Sequence, residues 1–420
     1  MSRPPILFYC QHLLGLGHLR RAGILARALV GAGERVVFVT GGLPMPGLDL
    51  GEAEAVALPP LTSADDAASS VALPDGSPPD EGYLADRRER LLASLARYDP
   101  GVVLLDLFPF GRHALAFELA PLLLALAADR RRRGRAAPRV AVSLRDILVG
   151  KKNQAWYELA VAATVKQWVD RVLVHGSPDL IPLSRTFGLA DRLADRLVYT
   201  GYLAAPRARS GEGAPRGEVV VSGGGGRVAA PLLLTALAAR QLSPAAAALP
   251  WRLITGPYLP GDLRADLEGL AARLGGPPGR PGIVVETFRD DFPALLGRAA
   301  LSISQAGYNT VLDVIASGVR AVVVPFEGSG DEQPLRARIL AERGVLKVVG
   351  EAELSPARLG EAIEAALIAP GFPAASSLDV KGAARSVEIL TGLVDGVAAA
   401  RQRGGEGSRR AARAQPARRR

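Results

Sequence analysis

Residues 6–29 read ILFYCQHLLGLGHLRRAGILARAL, and this order of elements decides the fold class. The apolar run at 6–10 predicts a buried strand, and a glycine-rich turn then leads into a helical pattern at 18–32. Short β-branched runs keep alternating with longer helical patterns along the chain, which is typical of parallel sheets built from βαβ units. The sequence therefore predicts an α/β protein with doubly wound, Rossmann-like sheets.

Further strands are predicted wherever a short apolar run recurs. They lie at 36–40, 102–107, 140–144, 172–175, 197–200, 219–222, 252–255, 283–287, 301–304, 321–325 and 346–349. The segment 204–217 is rich in Pro, Arg and Gly, which is typical of a linker, and the alternation restarts after it. We expect two domains, 1–205 and 206–400, whose strand ends face a central cleft.

Most of the positive charge lies at the C-terminus. The chain has 420 residues and a formal net charge of +9, and residues 401–420 hold eight arginines against Glu406 alone. Because this segment lacks apolar periodicity, we predict that it is a disordered basic tail. Its composition leaves two roles open: a solvated extension, or a weak electrostatic contact with anionic lipid or nucleic acid.

Composition argues against several other classes of protein. The single cysteine, Cys10, lies in an apolar run and is interpreted as a packed thiol, and the four histidines are too far apart to predict a zinc cluster. No run reaches the roughly 18 uncharged apolar residues of a membrane span, and the run at 6–10 is too short for a signal-peptide core. The sequence thus predicts a cytoplasmic protein without a cofactor or a metal.

The first glycine turn contains a candidate catalytic base. Gly15 and Gly17 let the backbone turn sharply and approach a ligand, and Arg20 follows in the first helical turn. The third glycine of a dinucleotide fingerprint is missing, which argues against that kind of cofactor site. His18 falls at the helix start, where the dipole keeps the ring neutral and able to accept a proton; a capping or packing role is the alternative.

A second glycine run, at 222–226, follows the first predicted strand of the second half. Gly223 and Gly224 belong to a row of backbone N–H groups beside a predicted helix start, an arrangement that suits phosphate. A purely structural glycine turn is the alternative.

The densest polar pattern lies at 304–313 and 326–333. Gly307 and Thr310 mark a helix start that can hold a pyrophosphate without metal, and Asp313 follows where a carboxylate can accept hydrogen bonds from ribose. Glu332 and Gln333, at the next helix start, can contact sugar hydroxyls. The alternative is that Thr310 and Asp313 are ordinary first-turn helix residues.

These motifs resemble those of the MurG-like glycosyltransferases, and more closely those of predicted bacterial glycosyltransferases related to them. The stretches that carry the resemblance include GLGHLRRA at 15–22, SGGGG at 222–226, SQAGYNTVLDVIASG at 304–318 and VPFEGSGDEQPLRA at 324–337. The resemblance implies the GT-B architecture and metal-independent sugar transfer from a nucleotide-diphosphate donor, UDP-linked, to an acceptor hydroxyl, with inversion. It assigns 1–205 to the acceptor and 206–400 to the donor.

The resemblance also implies a role for each donor-site residue. It places the uracil against Phe288 and the backbone of Arg289, the ribose on Asp313, and the donor sugar on Glu332 and Gln333. The pyrophosphate is placed on Gly307, Tyr308, Asn309 and Thr310. MurG has Glu where this chain has Asp313, and it has two glutamines where this chain has Glu332 and Gln333. The resemblance therefore implies neither the identity of the donor sugar nor a peptidoglycan acceptor.

Two questions stay open at this stage. Asp106, at the end of a predicted strand, is the second candidate base after His18. The same fold also serves nucleotide-sugar epimerases and hydrolases, and a non-catalytic nucleotide-sugar binder is a third class of function.

Overall fold

The computed structural model describes residues 3–13, 17–44, 48–65, 69–204, 217–226, 228–275, 282–328, 330–368 and 378–414, of which 404–414 by backbone alone. The chain divides into two compact units. Unit 1 consists of residues 1–201 and the segment from 381 onward, and unit 2 consists of residues 202–380.

Unit 1 is built on a seven-stranded parallel sheet. In chain order its strands are β1 (Ile6–Tyr9), β2 (Val36–Thr40), β3 (Glu54–Ala57), β6 (Val102–Asp106), β7 (Arg139–Arg145), β8 (Arg171–His175) and β9 (Leu197–Tyr199), with the short antiparallel pair β4 (Thr62–Ser63) and β5 (Val71–Ala72) between β3 and β6. The sheet order is β3-β2-β1-β6-β7-β8-β9. The direction of winding therefore reverses between β1 and β6, and ligands of such sheets bind outside the strand ends at this point.

Among the described residues of unit 1 there are five α-helices. They are α1 (Gly17–Gly31), α2 (Glu81–Tyr98), α3 (Ala116–Arg133), α4 (Gln154–Trp168) and α12 (Gly382–Ala414). Every residue of β1 and β6 is buried, because helices cover both faces of a parallel sheet. This explains why those strands read as continuous apolar runs.

Unit 2 repeats the plan on a six-stranded parallel sheet. Its strands are β10 (Glu218–Ser222), β11 (Trp251–Ile254), β12 (Ile283–Glu286), β13 (Ala299–Ser304), β14 (Ala321–Val323) and β15 (Lys347–Val348), in the sheet order β12-β11-β10-β13-β14-β15. Its helices are α5 (Ala230–Arg240), α6 (Pro244–Ala247), α7 (Gly261–Leu274), α8 (Phe292–Arg298), α9 (Tyr308–Ser317), α10 (Glu332–Glu342) and α11 (Pro356–Ile368). The predicted fold class, α/β with two Rossmann-like doubly wound sheets, is confirmed.

A fully buried ion pair, Arg87 with Glu118, contacts side chains at the carboxyl end of the central strand β1. Arg87 donates from Nε to Glu118 Oε2 (2.7 Å) and from Nη2 to Oε1 (3.0 Å), and neither side chain is exposed. Arg87 also donates to the carbonyl of Gly41 and to the side chain of Gln11, while the hydroxyl of Tyr9 donates to Glu118. Both charges are thus hydrogen-bonded on several sides, as buried ions require.

The C-terminal segment differs from its prediction. The expected second domain ended at 400 and a disordered tail began at 401, but α12 packs on α1, β6 and β7 of unit 1 and continues to Ala414. Buried Leu390, Val394 and Val397, spaced like one face of a helix, anchor it. Once a helix is anchored, each added residue adds one hydrogen bond, so a polar, glycine-containing extension can continue it.

Arg401 connects α12 to other segments of unit 1. Its guanidinium donates to the carbonyls of Asp99, Pro100 and Ala136 and to the carboxylate of Asp99, each at 3.0 Å. We expect a chain truncated after Gln402 to melt within about 2 °C of the full chain, whereas truncation after Ala400 lowers the free energy of unfolding by about 1–2 kcal/mol. Thermal and urea unfolding measure both, and Arg403→Ala, at an exposed position, is the matched control. Equal stability of the two truncated chains would contradict the role given to Arg401.

Candidate functional site

In unit 1, the winding reversal brings His18 and Asp106 together. Asp106 is the last residue of β6, and His18 lies in the first turn of α1, which follows β1. His18 Nδ1 is 2.8 Å from Asp106 Oδ2, and Arg21, one turn further along α1, donates to Asp106 Oδ1. Both oxygens of this buried carboxylate are therefore engaged.

The charges around this pair determine its protonation. Burial raises the pKa of the Asp106 carboxyl, but the neighbouring His18, Arg21 and Arg112 outweigh burial and hold that pKa well below its usual value. Burial, together with Arg112 and Arg145, lowers the pKa of His18 well below 6.5 and outweighs the opposing effect of Asp106. Asp106 is thus ionised and His18 neutral near pH 7.

The tautomer of His18 follows from its partner. An ionised carboxylate can only accept hydrogen bonds, so the proton of the neutral ring lies on Nδ1 and the lone pair on Nε2. The His18 side chain is 12% exposed, against 1% for Asp106. A neutral ring held in this way is able to take a proton at Nε2.

The loop after Asp106 has a strained backbone. Leu107 (φ 70°) and Arg112 (φ 63°) are non-glycine residues in the left-handed region. Between them, a Cβ on Gly111 would come within 2.7 Å of the Leu107 side chain, so a larger residue there would displace that side chain. Backbone strain of this kind clusters at functional sites, where the surrounding structure enforces it.

The other sequence-predicted residues of unit 1 are only partly described. Gly17 and Arg20 lie in the first turn of α1, and Gly15 falls outside the described residues. Sequence reasoning missed Arg21 and Arg112. The spacing of Arg21, three residues after His18, is the signal that could have placed both side chains on one helix face.

In unit 2, the glycine turn after β10 packs closely against the turn after β11. A Cβ on Gly223 would lie 2.5 Å from Ala229 and 2.9 Å from the Thr255 carbonyl, and Gly224 has a φ of 59°. The N–H of Gly223 donates to the carbonyl of Ile254. Helix α5 starts only at Ala230, later than the predicted start near residue 227, so the glycine run is separated from the helix terminus.

Helix α9 begins where a diphosphate site was predicted. Gly307 is its N-cap and offers no side-chain cap, while Tyr308, Asn309 and Thr310 form its first turn. A Cβ on Gly307 would meet nothing within 4 Å, so the space beside this helix start is open among the described atoms. Asp313 lies one turn further along and is 4% exposed.

Two of the residues after β12, Phe288 and Arg289, differ in their surroundings: the ring of Phe288 is exposed, and the guanidinium of Arg289 is hydrogen-bonded to carboxylates. Phe288 is 48% exposed. The side chain of Arg289 is held by Asp291, with Nε to Oδ1 at 2.6 Å and Nη2 to Oδ2 at 3.0 Å, and by Glu286. The Arg289 side chain is thus engaged within unit 2, and the resemblance assigns only its backbone to uracil.

The side chains at the start of α10 have partners within unit 2. Gln333 Oε1 accepts a hydrogen bond from the backbone N–H of Phe326 (3.1 Å), and Glu332 Oε1 accepts one from Arg336 Nη2 (3.1 Å). Arg336, which sequence reasoning missed, is a buried residue of α10. The i,i+4 spacing of Glu332 and Arg336 is the signal that predicts this pair.

In the part of the chain that the structure describes, no three His, Cys, Asp or Glu side chains are grouped as metal ligands would be. None of the helices described there combines the length and the apolar character that crossing a membrane requires.

Comparison with protein families identifies the second half of the chain. Residues 219–386 match the glycosyltransferase family 28 C-terminal domain. A UDP-N-acetylglucosamine--N-acetylmuramyl-(pentapeptide) pyrophosphoryl-undecaprenol N-acetylglucosamine transferase of Corynebacterium efficiens is 37% identical over 93 residues, 22% of this chain and 26% of that protein. The same-named protein of Brucella anthropi is 34% identical over 118 residues, 27% of this chain and 32% of that protein. The chain thus matches about a quarter to a third of the length of these relatives.

Solved structures of similar fold cover nearly the whole chain. CalG4, the calicheamicin glycosyltransferase, has a TM-score of 0.56 at 17% identity and covers 99% of this chain and 100% of its own. Acinetobacter baumannii MurG has a TM-score of 0.54 at 17% identity, with 93% and 99% covered. A UDP-glucosyltransferase from Polygonum tinctorium has a TM-score of 0.59 at 15% identity, with 94% and 100% covered. The GT-B fold and the resemblance to MurG-like proteins are confirmed.

Proposed function

We propose that this chain, which carries a glycosyltransferase family 28 C-terminal domain, is a glycosyltransferase that moves a sugar from a nucleotide-diphosphate donor to an acceptor hydroxyl. The family match spans every segment predicted to contact the donor. The observation that favours transfer over binding alone is the 2.8 Å contact between His18 and Asp106, because it holds a neutral imidazole with Nε2 available to accept a proton. Unit 1 then serves the acceptor and unit 2 the donor.

Unit 2 supplies the donor contacts in this proposal. The diphosphate lies against the N–H groups of Tyr308, Asn309 and Thr310 at the start of α9, where the helix dipole favours an anion. The uracil stacks near the exposed Phe288, and Asp313 receives the ribose hydroxyls. The names of both similar proteins begin with UDP-N-acetylglucosamine, which supports UDP as the nucleotide.

The proposed chemistry is a single displacement at the anomeric carbon. The acceptor hydroxyl gives its proton to His18 Nε2 as its oxygen bonds to the anomeric carbon, and the bond from that carbon to the diphosphate oxygen breaks. The departing charge is stabilised at the start of α9, so no metal is required. Displacement from the face opposite the leaving group inverts the anomeric centre. Asp106 holds the His18 tautomer and stabilises the imidazolium that forms, as a positioning residue rather than the base.

The acceptor, the donor sugar and the cellular location are predicted only in general terms. The acceptor is expected to be a hydroxyl compound. Glu332 replaces a glutamine of MurG, so the donor sugar is to be identified by testing a panel of nucleotide sugars. A cytoplasmic location and a weak contact of the basic C-terminal segment with anionic lipid or nucleic acid are expected from composition.

A panel of nucleotide sugars tests the proposal directly. The protein is incubated with each sugar, with and without cell extract as a source of acceptor, and free nucleotide is followed. Release that requires extract supports transfer. Release without extract would indicate a hydrolase, isomerised donor an epimerase, and binding without either reaction a non-catalytic binder; each of these would overturn the proposal.

Removal of the Asp313 carboxylate tests the ribose contact. Asp313→Ala is expected to weaken UDP binding by about 1–3 kcal/mol, the usual effect of losing charged hydrogen bonds. Calorimetry measures this, with Asp313→Asn separating charge from volume, since Asp313 is almost fully buried. Asp266→Ala, at an exposed position of α7, is the matched control. Unchanged affinity in a folded Asp313→Ala protein would move the ribose contact elsewhere.

A further inference from the structure

Arg336 connects the two helix starts of the proposed donor site. It lies in the second turn of α10 and is only 3% exposed. Its Nη2 donates to Glu332 Oε1 in the first turn of the same helix (3.1 Å), and its Nη1 donates to the carbonyl of Ala306 (3.2 Å), just before α9. One planar guanidinium therefore joins α10 to the loop that leads into α9.

A third contact reaches α9 itself. The guanidinium carbon lies 5.4 Å from the centre of the Tyr308 ring, within the distance of a cation–π interaction. Tyr308 is the first residue of α9 and follows the N-cap Gly307, which has no side chain to fix the helix start. Ala306 on one side of Gly307 and Tyr308 on the other are thus both held by Arg336.

We propose that Arg336 is a positioning residue for the donor diphosphate, a role that rests on the proposed function. By fixing the backbone on both sides of Gly307, it keeps the first N–H groups of α9 directed to one place, and its buried positive charge adds to the potential of the helix start. It also fixes the Glu332 carboxylate at the start of α10. The nucleoside part of the donor, placed at Phe288 and Asp313, does not depend on Arg336.

Substitutions separate the two contributions of Arg336, its hydrogen bonds to the backbone and to Glu332 and its positive charge. Arg336→Met keeps the length and the apolar stem of the side chain but removes the charge and both hydrogen bonds. Arg336→Lys keeps the charge, but an ammonium on a flexible stem does not reproduce the planar fork that reaches Ala306 and Glu332 together. Arg338→Met is the matched control, since Arg338 is exposed on the same helix two residues away and loses the same charge.

The measurement is the affinity for UDP by calorimetry and for uridine by ligand-observed NMR titration. Arg336→Met is expected to weaken UDP binding by about 10- to 100-fold and to leave uridine binding within about twofold. Arg336→Lys is expected to lose about 5- to 10-fold for UDP, and Arg338→Met to match the unmodified protein. The ratio of the two affinities is the deciding quantity, because a general loosening of unit 2 would weaken both ligands alike.

Each outcome decides the proposal. A selective loss for UDP in Arg336→Met, with a smaller selective loss in Arg336→Lys, supports it. An unchanged ratio, equal losses for both ligands, or full UDP affinity in Arg336→Lys overturns it. If Arg336→Met fails to fold by thermal melting, Arg336→Lys and Arg336→Gln are judged by the same ratio. If the unmodified protein binds no nucleoside diphosphate, both the proposed function and the role of Arg336 are overturned. If the unmodified protein and the Arg336 variants bind UDP equally well, only the role of Arg336 is overturned.

Discussion

His18→Ala is expected to lower turnover by about 10²- to 10⁴-fold while the affinity for the nucleotide donor stays unchanged. Under the proposed function, the alanine variant has no group to take the proton from the acceptor hydroxyl, whereas the proposed donor contacts all lie in unit 2. Steady-state kinetics with the acceptor found in the extract assay, and calorimetry with UDP, measure the two quantities separately.

Two further variants separate catalysis from packing. His18→Gln keeps some hydrogen-bonding capacity but cannot take up a proton near neutral pH, so we expect it to be almost as slow as His18→Ala. His113→Gln is the matched control, because His113 is exposed and hydrogen-bonded to the Pro109 carbonyl. Near-normal turnover of a folded His18→Gln protein would show that His18 only caps or packs, and Asp106 would become the leading candidate base.

The pH dependence follows from the lowered pKa of His18. The base is active only when neutral, and its pKa lies well below 6.5, so kcat/KM should be constant around neutral pH and fall only as the pH drops through that lowered pKa. Asp106→Asn removes the negative partner and leaves Arg112 and Arg145, which lowers the pKa of His18 further. A kcat/KM that already falls on acidification from pH 8 to pH 7 would contradict this assignment.

Glu118→Leu is expected to lower the free energy of unfolding by about 3–5 kcal/mol, because it leaves the guanidinium of Arg87 buried without its counter-ion. The double variant Arg87→Met with Glu118→Leu should lose less than Glu118→Leu alone, since removing both charges leaves neither uncompensated. Urea unfolding followed by circular dichroism measures these values.

The matched control for this ion pair lies on the same helix. Arg90 pairs with Asp86 on the exposed side of α2, at 2.9 Å, and Arg90→Met should change stability by no more than about 0.5 kcal/mol. If Arg90→Met and Glu118→Leu lower the free energy of unfolding by similar amounts, burial of the Arg87–Glu118 pair does not increase its effect on stability.

The sequence predicted most strands of the unit 1 sheet but not the contacts between them. The apolar run at 6–10 and the run ending near Asp106 are separated by about a hundred residues, and their periodicity is enough to identify both as buried strands. That His18 and Asp106 touch depends on the sheet order, in which β1 and β6 are neighbours. Strand order is set by tertiary packing, which no local pattern records.

The same reasoning explains what was missed. β3 reads EAVA, has Val56 as its one large apolar side chain and is largely exposed, so its alternation is too weak to predict a strand. Helix α12 was divided between a domain and a tail because composition changes at residue 400, whereas Leu390, Val394 and Val397 had already fixed the helix to unit 1. In unit 2, the helix start at Gly307 was visible in the sequence because glycine and polar residues directly follow a buried strand.

The return of α12 to unit 1 affects how the chain is made. Residues 202–380 interrupt unit 1, so the sites at which Leu390, Val394 and Val397 dock on α1 and the first sheet emerge from the ribosome long before the segment that covers them. At 5–20 residues per second, synthesis of the intervening residues takes about 10–35 s. During that interval unit 2, which is continuous in the chain, can complete its core first. The nascent N-terminal half meanwhile carries an uncovered apolar face where Leu390, Val394 and Val397 will dock.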